Sequence, residues 1–84
     1  MSQNATVQIN ALLPKLNDPD ADFRFMALND LFEVLSSNSA TFMTSDQHLS
    51  QKVSDGIVQA LNDKNGEVQN LAVKWSVQRL KLLY

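Results

Sequence analysis

The 84-residue chain contains no cysteine, two glycines, two prolines and only six aromatic residues, four Phe, one Trp and one Tyr. Without cysteine there is no disulfide, no thiolate zinc site and no cysteine nucleophile. Scarcity of glycine and proline, beside an ordinary apolar share, argues against disorder. Basic excess is absent too: the net charge is -2 and the isoelectric point near 5.0, which argues against a nucleic-acid grip built on clustered Lys and Arg. The first ten residues, MSQNATVQIN, have neither a basic start nor an apolar run, so they do not read as a signal peptide. No segment approaches the roughly 18 consecutive apolar residues of a membrane helix. These absences lead to the expectation of a soluble protein of the cytoplasm or nucleus.

What is present is an ordinary apolar share, 44%, enough to bury one small core against chain entropy. Val7, Ile9, Leu12, Leu13 and Leu16 recur at helical spacing behind Ser2 or Asn4 as N-caps, and Pro14 should kink or shorten that helix. Asp18-Pro19 reads as an N-cap followed by proline at the first position of a second helix, which carries Phe23, Met26, Ala27, Leu31, Val34 and Leu35. Residues 36–46 are polar and aperiodic and read as a loop, with Phe42 and Met43 folded back onto the helices. Thr44 and Gln47 resemble a capping box. A third helix runs through Leu49, Val53, Ile57, Val58 and Leu61. After a turn at Asp63–Gly66, a fourth carries Val68, Leu71, Ala72, Trp75, Val77 and Leu80. Asn65-Gly66 is also a β-hairpin signature, but both flanks have a period near 3.6 rather than 2. The fold expected is all-α, with four main helices.

The chain repeats itself at an offset of 45 residues. Leu16-Asn17-Asp18 falls on Leu61-Asn62-Asp63, Met26-Ala27-Leu28 on Leu71-Ala72-Val73, and Leu12-Leu13 on Ile57-Val58. A period of about 40–47 residues with two helices per unit is the mark of HEAT-type repeats. Repeat one is placed at about 4–37, the loop at 38–45 and repeat two at about 46–84, two hairpins stacked as a short α-solenoid. A coincidental pair of helical hairpins is the alternative. The order Asp18, Phe23, Arg24, Ala27 also fits a HEAT unit, whereas repeat two carries Gln69 in place of the arginine.

At about 100° per residue, helix two is apolar over most of its circumference. Phe23, Met26, Ala27 and Val34 occupy one side and Phe25, Leu28, Phe32 and Leu35 another, the double burial of an inner solenoid helix. Its polar arc is narrow: Asp22, Asn29, Glu33 and Ser36. In the fourth helix the same arc holds Glu67, Lys74, Gln78 and Lys81. These arcs are either two solvated faces or the lining of a concave binding surface.

Catalytic and metal chemistry find little support. Asp18-x-Asp20-x-Asp22 imitates the start of a calcium loop, but that loop needs Gly and Glu where Phe23 and Asn29 stand. Carboxylates at a helix N-terminus account for these aspartates better. His48 is the only histidine and reads as a surface residue. Trp75, beside Leu71 and Ala72, reads as packing rather than recognition, and Met26 and Met43 as gap fillers. No phosphate loop or nucleophile elbow appears. No cofactor and no enzymatic activity are expected.

Two stretches go beyond generic repeat chemistry, DFRFMALNDL at 22–31 and DKNGEVQNLAVK at 63–74. They resemble the N-terminal HEAT repeats of the cullin-associated neddylation-dissociated family, also called TATA-binding-protein-interacting proteins. From Trp75 onward, WSVQRLKLLY departs from the family pattern. The resemblance implies a truncated piece of a long helical solenoid that wraps an unmodified cullin–RING ubiquitin ligase core. In that family the N-terminal repeats lie against the cullin C-terminal region and the RING subunit, and distant C-terminal repeats drive receptor exchange. Carried over residue by residue, it makes Asp22, Arg24, Asn29, Lys64, Asn65, Glu67 and Lys74 candidates for partner contact, beside Glu33, Gln78 and Lys81 of the polar arc. A last repeat without a successor also leaves Val73, Val77, Leu80 and Tyr84 uncovered. The rival reading is a free-standing four-helix protein that homodimerises through that face.

Overall fold

The computed structural model describes the backbone of residues 5–45 and 47–83 and the side chains of residues 6–37 and 47–78. Four α-helices follow one another, α1 (Ala5–Leu12), α2 (Ala21–Ser45), α3 (Gln47–Leu61) and α4 (Gly66–Leu83). A 3-10 turn, Leu13–Asn17, extends α1, and no strand occurs among the described residues. Helices α1 and α2 form hairpin one, α3 and α4 hairpin two. Helix α2 touches both helices of hairpin two, and α3 meets the 3-10 turn of hairpin one. The result is two HEAT-type hairpins in a short stack.

Pro14 explains where α1 stops. It lies in the first turn of the 3-10 segment, where its missing N–H costs nothing, and α1 has already ended at Leu12. The helix is thus shortened, one of the two outcomes that the sequence allows.

The start of α2 is a correction. Asp18 is not its N-cap: the Asp20 carboxylate accepts from the Asp22 N–H at 2.8 Å, and the Arg24 N–H donates to the Asp20 carbonyl at 3.0 Å. The Asp18 carboxylate instead accepts the Asp20 N–H at 2.8 Å, an Asx turn that sets up the cap. Hairpin two builds the same device 45 residues on. Asp63 accepts from the Asn65 N–H at 2.8 Å, Asn65 caps the N–H groups of Glu67 and Val68 at 2.9 and 3.2 Å, and the Gln69 N–H closes on the Asn65 carbonyl at 3.1 Å. Asn65-Gly66 is therefore a cap and first helical residue, not a hairpin turn.

A second correction concerns the loop expected at 36–46. Helix α2 runs on through Ser45. Serine, threonine and asparagine cost only about 0.5 kcal/mol each relative to alanine in a helix, and neither glycine nor proline occurs between Pro19 and Gly56 to stop propagation. Thr44 is thus helical and not a cap. The side chains of Phe42 and Met43, like the proposed caps Ser2 and Asn4, lie outside the described residues.

One core runs through both hairpins: Ile9, Leu16, Ala27, Leu28, Leu31, Phe32, Leu35, Leu49, Val53, Ala60, Val68 and Ala72. Fully burying a leucine such as Leu28 or Leu31 is worth about 2 kcal/mol. Gly56 lets α3 approach the 3-10 turn closely. A Cβ there would lie 2.9 Å from Leu16 Cδ1 and 3.4 Å from Leu13 Cδ2. The two-sided burial expected for α2 holds on the side of Leu28, Phe32 and Leu35. On the other side Ala27 is buried, but Phe23 and Met26 are exposed.

Candidate partner-binding surface

The junction between the hairpins is fastened by one arginine. Arg24, in the first turns of α2, forms a bidentate ion pair with Asp63 in the turn of hairpin two, Nε to Oδ2 at 2.8 Å and Nη2 to Oδ1 at 3.1 Å. Its remaining nitrogen donates to the carbonyls of Asp18 and Pro19 at 2.8 and 3.1 Å. Planar, multi-donor geometry of this kind is a task that lysine cannot perform. The bonds from Arg24, joined by the Asn65 N–H, hold the Asp63 carboxyl below the usual carboxylate range, against the opposing effect of burial. The carboxylate in turn raises the Arg24 guanidinium above its ordinary value, with Asp18 and Asp20 adding through space. Gln59 also donates to the Asn17 side chain across the junction.

Hairpin two lacks this fastening on its far side. Gln69, the counterpart of Arg24, turns back and donates to the Leu61 carbonyl at 3.0 Å, within its own hairpin. The contact that Arg24 makes across the junction is replaced at Gln69 by a local bond.

The polar arcs of α2 and α4 meet as one groove. Its floor is Phe32, Leu71 and Trp75, and its walls carry Asn29, Glu33 and Ser36 from α2 and Lys74 and Gln78 from α4. Phe32 and Trp75 stack with ring centroids 4.6 Å apart and planes inclined by 4°, so Trp75 packs between the inner helices as expected. Neither Glu33 nor Lys74 enters an ion pair among the described residues. Both charges stand exposed at the rim.

The ten residues singled out by sequence thus separate. Asn29, Glu33, Lys74 and Gln78 come together in the groove. Arg24 and Asn65 are occupied by the junction and the cap. Lys64 lies exposed beside them, at the edge of a second depression lined by Asn17, Asp18, Pro19, Arg24 and Gln59. Asp22 and Glu67 are exposed in the first turns of α2 and α4, away from the groove lining. The side chain of Lys81 lies outside the described residues. Sequence reasoning missed the apolar floor, although the substitution of Trp75 for Asp30 at offset 45 was a signal that the inner helices differ there. Among the described residues, no three His, Cys, Asp or Glu side chains cluster to hold a metal ion, and no helix is long and apolar enough to cross a membrane.

The chain is 43% identical over 76 residues to a protein named cullin-associated NEDD8-dissociated protein 1, N-terminal part, from Emericella nidulans, covering 88% of the chain and 22% of that relative. It is 46% identical over 74 residues to cullin-associated NEDD8-dissociated protein 1 of Drosophila melanogaster, covering 88% of the chain and 6% of the relative. A third relative, cullin-associated NEDD8-dissociated protein 2 of Mus musculus, is 44% identical over 66 residues, 79% of the chain and 5% of its own length. No family model and no solved structure matches the chain. The chain therefore spans at most about a fifth of the length of these relatives. By sequence it is homologous to the cullin-associated NEDD8-dissociated proteins and corresponds to a short part of them.

Proposed function

We propose that this chain is a non-catalytic binding module that contributes the α2–α4 groove to the grip on a cullin. The observation that carries this reading is the convergence of Asn29, Glu33, Lys74 and Gln78 on one groove. Asn29 and Lys74 belong to the two segments that resemble the family, and the relatives' names place a cullin among their partners. The partner surface is the cullin C-terminal region with its RING subunit, in the form that carries no NEDD8, and the compartment is the cytoplasm or nucleus. Binding is by hydrogen bonds and rim charges over an apolar floor, so no bond is made or broken.

Charge reversal tests the proposal. Glu33→Lys and Lys74→Glu, each at an exposed position, should leave helicity and melting unchanged. Each should weaken binding of a fluorescently labelled chain to an unmodified cullin–RING core by roughly fivefold to a hundredfold. Unchanged affinity in both variants contradicts the groove.

A second reading keeps one observation of its own. Val73 and Val77 stand exposed on α4, one turn apart, a face that would pair two copies; the side chains of Leu80 and Tyr84, grouped with them from the sequence, lie outside the described residues. Sedimentation of the chain alone decides it: a concentration-dependent dimer lost in Val77→Asp supports pairing, and a monomer at all concentrations removes it.

A further inference from the structure

Equivalent positions of the two hairpins differ sharply in burial, and the difference gives the stack a direction. Leu28 and Phe32 are 0% and 6% exposed, whereas their counterparts Val73 and Val77 are 44% and 46% exposed. In the opposite sense, Val68 is 2% exposed while its counterpart Phe23 is 55% exposed. Met26, at 57%, corresponds to the part-buried Leu71. The members of each pair lie at equivalent positions of the inner helices, and the neighbouring hairpin covers one member and not the other. Phe23 and Met26 thus mark the end face of hairpin one that is shaped like the seat hairpin two offers to hairpin one.

The electrostatics of this face agree. Asp63 receives Arg24 from hairpin one, but Asp18, its counterpart, has no ion pair among the described residues and accepts only the Asp20 N–H with its carboxylate. Where hairpin two offers Trp75, hairpin one offers the exposed Asp30. The face is therefore apolar at Phe23 and Met26, with a carboxylate at each edge. We propose that it docks a basic amphipathic helix, one bearing an arginine or lysine for Asp18 about four residues ahead of its first apolar contact, the spacing of Arg24 to Leu28.

A second copy of this chain is a poor occupant. Its free end face presents Val73 and Val77, but the position of Arg24 is held there by Gln69, a neutral amide already donating to the Leu61 carbonyl. Among the described residues, the position equivalent to Arg24 therefore offers Asp18 no ion-pair partner. The proposal is independent of the groove, which lies on the polar arcs of the inner helices.

The probe is a stapled 18-residue helix carrying Arg, Leu and Phe at the spacing of Arg24, Leu28 and Phe32, titrated into the 84-residue chain by fluorescence anisotropy. Saturable one-to-one binding is expected, weakened roughly tenfold or more by Phe23→Asp, by Asp18→Asn and by replacing the probe's Arg with Gln. The dependence on salt should fall with Asp18→Asn. Lys74→Glu should leave this binding unchanged, which separates it from the groove. Phe23 and Asp18 lie outside the core, and retained helicity by circular dichroism confirms that each variant is folded. The proposal is overturned by absence of saturable binding, by equal binding to wild type and Phe23→Asp, or by self-association of the unliganded chain that Phe23→Asp abolishes.

Discussion

Hairpin one and hairpin two start their inner helices with the same device and then treat their surroundings differently. Asp18 and Asp20 build an Asx turn and a cap, and Asp63 and Asn65 repeat both bonds and add a third from the Val68 N–H. Yet Arg24 reaches across to the next hairpin whereas Gln69 folds back on its own. Local sequence thus dictates the helix start, and one side chain four residues further in decides whether a repeat fastens to a successor. Burial follows the same division, since Leu28 is enclosed and Val73 is not.

The comparison is broken most severely in the core. Leu28→Ala should cost about 3 kcal/mol of unfolding free energy, while Val73→Ala at the equivalent position should cost less than about 0.5. Chemical denaturation of both variants measures the difference, and equal losses would remove the assigned stacking direction.

The junction comes next. Arg24→Gln makes hairpin one copy hairpin two, leaves Asp63 without its partner, and should lower the thermal midpoint by roughly 5–10 °C. Asp63→Asn should do much the same at neutral pH. Their pH dependence sharpens the point. Asp63 has a depressed pKa in the folded state, so the unfolded chain binds more protons and this contribution to stability is present above the unfolded carboxylate value, about 3.9. It is lost as pH falls through the folded value. Wild type should therefore lose its advantage over Asp63→Asn on acidification below about pH 4, whereas a constant difference would assign the loss to shape rather than charge.

Capping is smaller and should be equal on both sides. Asp20→Ala and Asn65→Ala should each destabilise by about 1 kcal/mol, with a matched loss of protection of amide hydrogens in the first turns of α2 and α4. The smallest effect belongs to Gly56→Ala, where a gain of about 1 kcal/mol in helix propensity is offset by pushing aside the Leu16 methyl. Its net change should lie within about 1 kcal/mol, and Gly56→Leu should be clearly worse.

Much of this was legible in the sequence because the repeat is written in turn and cap residues, whose chemistry is local. The offset of 45, the four helices and the end of α1 near Pro14 follow from spacing and from proline's missing donor. The extension of α2 through Ser45 was hidden, because a stretch of mostly polar and small residues looks like a loop when only periodicity is consulted, yet contains no breaker. The cap at Asp20 was displaced by the attraction of Asp18-Pro19, a dipeptide that serves the turn instead. Among the candidate contacts, the four groove residues were found as a polar arc. Phe23 and Met26 were assigned to the interior because hydrophobicity alone does not say whether a neighbour exists to cover a face.

Co-elution tests the account most directly. The 84-residue chain is run on a calibrated sizing column alone and with an unmodified cullin–RING core, beside Lys74→Glu. The account predicts that wild type moves into the ligase peak and that Lys74→Glu stays behind as a folded protein. If wild type elutes apart from the ligase, or both chains enter its peak alike, the groove between α2 and α4 is not the surface that binds.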